Sequence, residues 1–513
     1  MEAWVIGVVS LVLCFSIRPL LTLLFPSLKK SHRLPPGPLP IVGTLLFLRI
    51  SFNKLEPLLL RLHAKYGPII TFPIGFFPAI FIADRSLAYQ ALVQNGAVFS
   101  DRPKALATSK IINSHQHNIS SSGYGPTWRA LRRNLTAEIL HPARIKSFYG
   151  TRRWVADMLV QKLRVHCETS NRIKLMDHIL HAIFSLLAFM CFGEKLSDKQ
   201  ISEIERVQRT ILLRYNRFLM LNFWPKMAKI LLRKRWDEFM QLRNDQADVM
   251  VPLIRARKLV KEERLSKAKE DEKGEVIVAY VDTLLDLEWP EEKRKLEEDE
   301  IVNLISEFLN AGTDTTATSL EWIMANLVKY PQLQQRLYDE IKSVMGDSKE
   351  RMVNEAYLGK LPYLKAVILE GLRRHPPGRV LIPHSVTKDA VLNDHLVPKN
   401  GTVNFMVAQM GWDPKVWEDP MEFKPERFLN REKNEVEAFD FTGTKEIKMM
   451  PFGAGRRMCP GNNLAILHME YFVANLIWNF EWKSPDGDVD LTEKQEFTMM
   501  MKTPLHVSLS PRF

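Results

Sequence analysis

The sequence predicts a mainly α-helical fold with small β-sheets, carried behind one N-terminal membrane-spanning helix. Three observations lead there. Long stretches of helical apolar spacing occupy the middle of the chain, at 154–192, 202–259 and 298–328. Short strand-like runs cluster at 69–82 and 380–407. A composition of 46% hydrophobic and 25% charged residues over 513 positions is that of a chain with a large core, and the first segment, residues 3–25, is almost uncharged.

Residues 1–28 read as a membrane anchor. Ala3 to Ile17 is uncharged and apolar, and Leu20 to Phe25 continues it after Arg18-Pro19. As a helix this is roughly one bilayer thickness. Lys29, Lys30 and Arg33 follow it while Glu2 precedes it, so the positive-inside rule puts the bulk of the chain in the cytosol. A cleaved signal peptide would need a positive n-region and a small-x-small site, and neither stands out. Arg18 either snorkels or shortens the span. Residues 29–40 are basic and then read Leu34-Pro35-Pro36-Gly37-Pro38, a stiff non-helical hinge. Residues 41–513 form one large domain, with no second linker of that kind and no internal repeat. The mixed-charge run 261–273 reads as a solvated loop or helix end.

Composition excludes other classes. Cys14, Cys167, Cys191 and Cys459 show no paired spacing, so a disulfide framework is not expected and the folded part meets a reducing compartment. A net charge of +12 suits an anionic membrane or an acidic partner. The basic residues are spread out with no aromatic-interleaved patch, so nucleic acid is not an expected partner. His178 and His181 have metal-like spacing but no further ligand near in sequence, which leaves an ordinary helix face. Asn118, Asn134 and Asn400 head glycosylation patterns that a cytosolic domain leaves unused.

Two stretches carry chemistry. Residues 301–319 read IVNLISEFLNAGTDTTATS. Ile301, Leu304, Ile305 and Phe308 have helical spacing, and the face continues to Ala311, Gly312 and Thr315. A mid-helix glycine costs about 1 kcal/mol relative to alanine, and the threonines are also weak helix formers. Small residues at 311 and 312 would let a flat cofactor and a small ligand approach, and Asp314 beside Thr315 supplies an acid and an alcohol for a proton relay. The alternative is a threonine-rich helix turned to solvent or bent by side-chain-to-backbone bonding. The second stretch, PFGAGRRMCPGN at 451–462, sets Cys459 among Gly453, Gly455 and Gly461 with Arg456 and Arg457 just before it. Positive charge favours the metal-binding thiolate, and the glycines allow tight turns and close approach of a large group.

With these, two further motifs complete a resemblance. Phe452 to Gly461 is similar at every defined position to the haem-binding loop of the cytochrome P450 monooxygenases, and Ala311 to Thr316 to their oxygen-activation helix. Glu370-Gly371-Leu372-Arg373 resembles their Glu-x-x-Arg motif and Pro425-Glu426-Arg427-Phe428 its partner loop, in the same order and spacing. The anchor and hinge look like microsomal members, and the text at 94–103 and 118–140 resembles plant enzymes, in particular family 89. The resemblance covers essentially the whole chain.

It implies the P450 fold, haem b with iron held by the Cys459 thiolate, and insertion of one oxygen atom from O2 into a small, largely apolar substrate. It implies that Arg457, Trp128, Arg132 and His384 reach the haem propionates, with Phe452, Gly461, Ala311 and Gly312 against the ring. Thr315 and Asp314 would deliver protons. Glu370, Arg373 and Arg427 would form a buried ionic network that fixes the loop. Since the chain carries no nicotinamide or flavin fingerprint, electrons would come from NADPH–cytochrome P450 reductase at the endoplasmic reticulum membrane. The pocket would draw on Glu307, Phe308, Arg379, Val380, Met499 and Met500, and Arg379 could bind a substrate carboxylate, sit on a propionate or point outward. Rival readings are a reductase-independent haem-thiolate isomerase or dehydratase, which intact Asp314-Thr315 argues against, and a non-catalytic haem sensor, which would bring an output domain.

Overall fold

The computed structural model describes residues 34–38, 55–74, 77–222, 225–267, 277–346, 350–430 and 439–513. The expected anchor and most of the expected hinge lie outside the described residues. Within residues 34–38, Pro35 is buried and the Pro36 carbonyl accepts from Thr71 N at 2.9 Å, so the proline segment lies against the first strand.

Among the described residues, ten principal helices carry the fold: α1 (Leu55–Tyr66), α2 (Pro126–Asn134), α3 (Tyr149–Thr169), α4 (Leu175–Phe192), α5 (Asp198–Arg214), α6 (Arg233–Lys267), α7 (Glu298–Lys329), α8 (Pro331–Met345), α9 (Pro362–Arg374) and α10 (Asn462–Asn479). The strands are short. In the four-stranded sheet, β1 (Ile69–Ile74) pairs antiparallel with β2 (Phe77–Ile82), which runs parallel to β7 (Thr402–Phe405), itself antiparallel to β4 (His384–Ser385). The rest are β3 (Ile173–Lys174), β5 (Ala390–Leu392), β6 (His395–Val397), β8 (Phe480–Lys483), β9 (Glu493–Gln495), β10 (Met499–Met501) and β11 (His506–Pro511).

The helical pattern at 298–328 is one helix, α7. Glu298, Asp299 and Glu300 in its first turn face the positive end of the helix dipole, and Lys329 sits at the other end. Pro331 then opens α8. The other two long patterns are each broken. Strand β3 separates α3 from α4, because Ile173 pairs with Val507. The span 202–259 is divided between α5, a 3-10 stretch (Tyr215–Asn222), a short helix (Pro225–Leu231) and α6. The first half of the charged run 261–273 is the end of α6, which reaches Lys267, the helix-end alternative of the sequence reading.

The core sits where α4 packs on α7 and α7 in turn meets α9 and α10; Phe184, Leu187, Trp322, Ile323 and Ile368 are sealed there. Among the described residues, α4 alone is long and apolar enough to cross a membrane. It is 78% buried by the rest of the protein, so it serves as a core helix. His181 on α4 faces Asp198 at 3.7 Å and Glu205 at 3.9 Å, and the described residues hold no metal-binding cluster.

Candidate active site

The cysteine loop turns back on itself before α10. Cys459 N donates to the Phe452 carbonyl at 2.9 Å, and Gly453 N to the Met450 carbonyl at 3.0 Å. Gly453 and Gly455 have φ of +74° and +70°, the left-handed region that side chains resist. At Gly455 space forbids a side chain as well, since a Cβ would lie 2.1 Å from the Leu92 carbonyl oxygen. Gly461 differs. Its φ is −91° and a Cβ there meets no protein atom within 4 Å, so the chain itself gives no reason for glycine at that place.

The electrostatics of Cys459 depart from expectation. Burial pushes the thiol up, while the Gly461 amide and Arg132 pull it down. The cation acting on the sulfur is Arg132 of α2, not the adjacent arginines. Arg456 is exposed and donates to Tyr124 Oη at 2.5 Å. Arg457 donates to the carbonyls of Ser100 at 2.7 Å, Ile119 at 3.2 Å and Ser122 at 2.6 Å, with its guanidinium 4.6 Å from the Trp128 ring centre.

These groups form a cationic wall. Trp128 is buried and its Nε1–H has no partner. Burial lowers Arg132, and lowers Arg457 to about 10. His384 donates through Nδ1 to the Phe99 carbonyl at 2.7 Å, and burial followed by the nearby Arg102 drops it to about 3, so its imidazole is neutral. Arg102 is a member that sequence reasoning missed. Burial and then Arg457 lower it to about 9, and it binds Ser120 O at 2.7 Å and Ile382 O at 2.8 Å. Its one sequence signal was its place in the family-like stretch 94–103.

On α7, Ala311 is exposed and Thr315 Oγ donates to its carbonyl at 2.6 Å, the side-chain-to-backbone bond of the alternative reading. Asp314 turns toward α5, where Arg209 stands at 4.0 Å; burial pushes its carboxyl up and Arg209 pulls it down. Gly312 does not share the Ala311 side. A Cβ there would lie 2.6 Å from Leu187 Cδ1 of α4, so this glycine serves helix packing.

Glu370, Arg373 and Arg427 meet, and the first two are fully buried. Arg373 forms a two-pronged pair with Glu370 at 2.7 and 2.8 Å. Glu370 also accepts from Arg427 Nε at 3.2 Å and Lys424 N at 2.7 Å, while Arg373 donates to Gly411 O and Pro420 O, both at 2.7 Å. The pair thus ties α9 to the chain at 411–427.

The two polar pocket candidates have other partners. Arg379 is buried, pairs with Glu493 and with Glu56 at 3.3 Å, and stacks 4.2 Å from the Trp412 ring centre. A charge so fully engaged is not open to a substrate carboxylate. The Glu307 carboxylate takes the backbone N–H groups of Ile119 at 2.9 Å and Ser120 at 2.6 Å. Phe308 is half-buried against Tyr280, Val380 bridges to Met406, and Met499 is buried with its carbonyl accepting from Trp322 Nε1 at 2.7 Å. Met500 is half-buried beside it.

This arrangement fits haem. Trp128 Nε1, Arg132, Arg457 and Arg102 offer donors to a pair of carboxylates, the glycine at 461 suits a flat group laid against the start of α10, and Cys459 supplies a soft ligand. The comparisons agree. The family model Cytochrome P450 matches residues 34–510. Cytochrome P450 89A9 of Arabidopsis thaliana is 52% identical over 496 residues, covering 94% of each chain. Cytochrome P450 98A1 of Sorghum bicolor is 29% identical over 94% of this chain and 92% of its own. A zebrafish cytochrome P450 structure with abiraterone shares the fold with a TM-score of 0.69, at 23% identity, over 89% of this chain and 100% of its own. The chain belongs to the cytochrome P450 family, and within it resembles the plant family 89.

Proposed function

We propose that this monooxygenase inserts one oxygen atom from O2 into a small, largely apolar substrate, with electrons from NADPH through a separate cytochrome P450 reductase. The observation that carries the reading is the Cys459 loop seated beside the cationic wall. Haem, bound through the Cys459 thiolate, supplies oxygen activation. The chain supplies the rest. Arg132, Arg457, Arg102 and Trp128 would hold the haem's two carboxylates, while the neutral His384, its Nδ1 donating to Phe99 O, presents its other ring nitrogen only as an acceptor. The exposed side of α7 at Ala311 and Thr315 faces the substrate. Thr315 Oγ–H, parked on the Ala311 carbonyl, is the last donor, and Asp314, held toward its protonated form by burial, resupplies it. With Arg379 paired to Glu56 and Glu493, this arginine offers no free charge to a substrate, which supports an apolar, uncharged ligand.

The apolar segment 3–25 and the basic residues after it support a single-pass anchor in the endoplasmic reticulum membrane with the catalytic domain in the cytosol. Reconstitution in lipid with the reductase, NADPH and a panel of apolar compounds tests the function. Turnover that requires NADPH and incorporates one atom from labelled O2 is expected. Rearrangement of a hydroperoxide without NADPH would instead establish an isomerase.

A further inference from the structure

Residues 117–122 run as a strap between α7 and the cationic wall. From α7, Glu300 meets His117 Nδ1 at 3.1 Å, Asn303 Nδ2 donates to His117 O at 3.2 Å, and Glu307 takes the amides of Ile119 and Ser120. From the other side Arg457 holds Ile119 O and Ser122 O, and Arg102 holds Ser120 O. The strap is entered through strain. Ser114, His115 and Gln116 are three successive non-glycine residues with φ of 42°, 59° and 72°. Such a run persists only where its surroundings over-determine it. Glu307 grips the middle of the strap by the N–H groups of Ile119 and Ser120, and it does so one helical turn before Ala311, on the side that also bears Thr315.

We infer that Glu307 is a positioning residue: its carboxylate pins the 117–122 strap as a wall over the Ala311–Thr315 side of α7, and so sets which ligand shapes fit there. The inference rests on the proposed reading of that side as the substrate side. The carboxylate is suited to the task because both oxygens accept, one from each amide, and a charged acceptor makes the stronger bond. Glutamine has the same shape but would turn an N–H toward one of the two donors.

The test is hydrogen exchange on the haem-loaded protein and Glu307→Gln, with Glu307→Asp as a second variant that keeps the charge one methylene short. Exchange at the Ile119 and Ser120 amides should rise about tenfold or more in Glu307→Gln, and less in Glu307→Asp. Binding spectra with imidazole and with clotrimazole should show the ratio of the two Kd values shifting about threefold or more, because the wall governs the bulky ligand. Unchanged exchange at 119 and 120, or an unchanged Kd ratio despite faster exchange, overturns the inference. Neither readout needs turnover. An enzyme that lacks NADPH-dependent activity while these amides loosen as described would refute the proposed function and leave the strap standing.

Discussion

Replacing Glu370 with alanine removes the acceptor of four hydrogen bonds from a place with no solvent. Two come from Arg373, at 2.7 and 2.8 Å, one from Arg427 and one from Lys424 N. Arg373 would keep its carbonyl partners at 411 and 420 but lose its counter-charge while fully buried. Breaking a buried pair in this way costs about 3–5 kcal/mol. The stranded Lys424 amide adds about 1–3 kcal/mol. Together these approach the whole stability of an ordinary domain, about 5–15 kcal/mol. The damage falls on the segment 411–427, which leads into the cysteine loop, so haem loading should fail before bulk folding does. Haem content per protein and the urea midpoint, measured for Glu370→Ala and Glu370→Gln, give the answer. Both should lose haem, alanine more severely. A soluble, fully haem-loaded Glu370→Ala whose stability falls by less than about 1 kcal/mol would refute the reasoning.

The other expectations are smaller in scope. Gly455→Ala combines φ of +70° with a Cβ 2.1 Å from Leu92 O, so the cysteine loop must shift and the thiolate-ligated fraction, read by absorbance, should fall sharply. Thr315→Ala and Asp314→Asn should lower product formation about 100-fold while NADPH is still consumed, the electrons leaving as peroxide; product formation at the original rate would remove both residues from proton delivery. Buried His468 has its pKa dropped from 6.5 to about 3, by burial and then by Arg152. The unfolded chain therefore takes up the proton first, so this group's contribution is intact above pH 6.5 and is lost as the pH falls toward 3. At pH 5 the loss is about 2 kcal/mol, and His468→Gln should show a correspondingly flatter acid limb in urea titrations.

What the sequence revealed and what it hid follow from one distinction. Features fixed by near neighbours were legible. Gly453 and Gly455 announce tight turns that the backbone does make, and the spacing of Ile301, Leu304, Ile305 and Phe308 announces α7. Features fixed by distant partners were not. The role of Arg379 stayed open between a substrate carboxylate, a propionate and solvent because its partners Glu56 and Glu493 are more than a hundred positions away. Gly312 looked like room for a ligand because nothing local shows that Leu187 of α4 lies against it. The charge on Cys459 was assigned to Arg456 and Arg457 by adjacency, yet adjacent side chains in a tight loop diverge, and Arg132 arrives from α2. The breaks within 202–259 fall at a 3-10 stretch and a short helix, which are themselves helical, so periodicity could not mark where α5 ends and α6 begins.

The central claim is haem held by the Cys459 thiolate. The carbon monoxide difference spectrum of the reduced, membrane-bound protein, beside that of Cys459→Ser, tests it most directly. A strongly red-shifted Soret band in the wild-type protein, absent from the variant, is the predicted result. Haem bound without that band, or a band indifferent to the substitution, would contradict thiolate ligation at Cys459 and the monooxygenase account built on it.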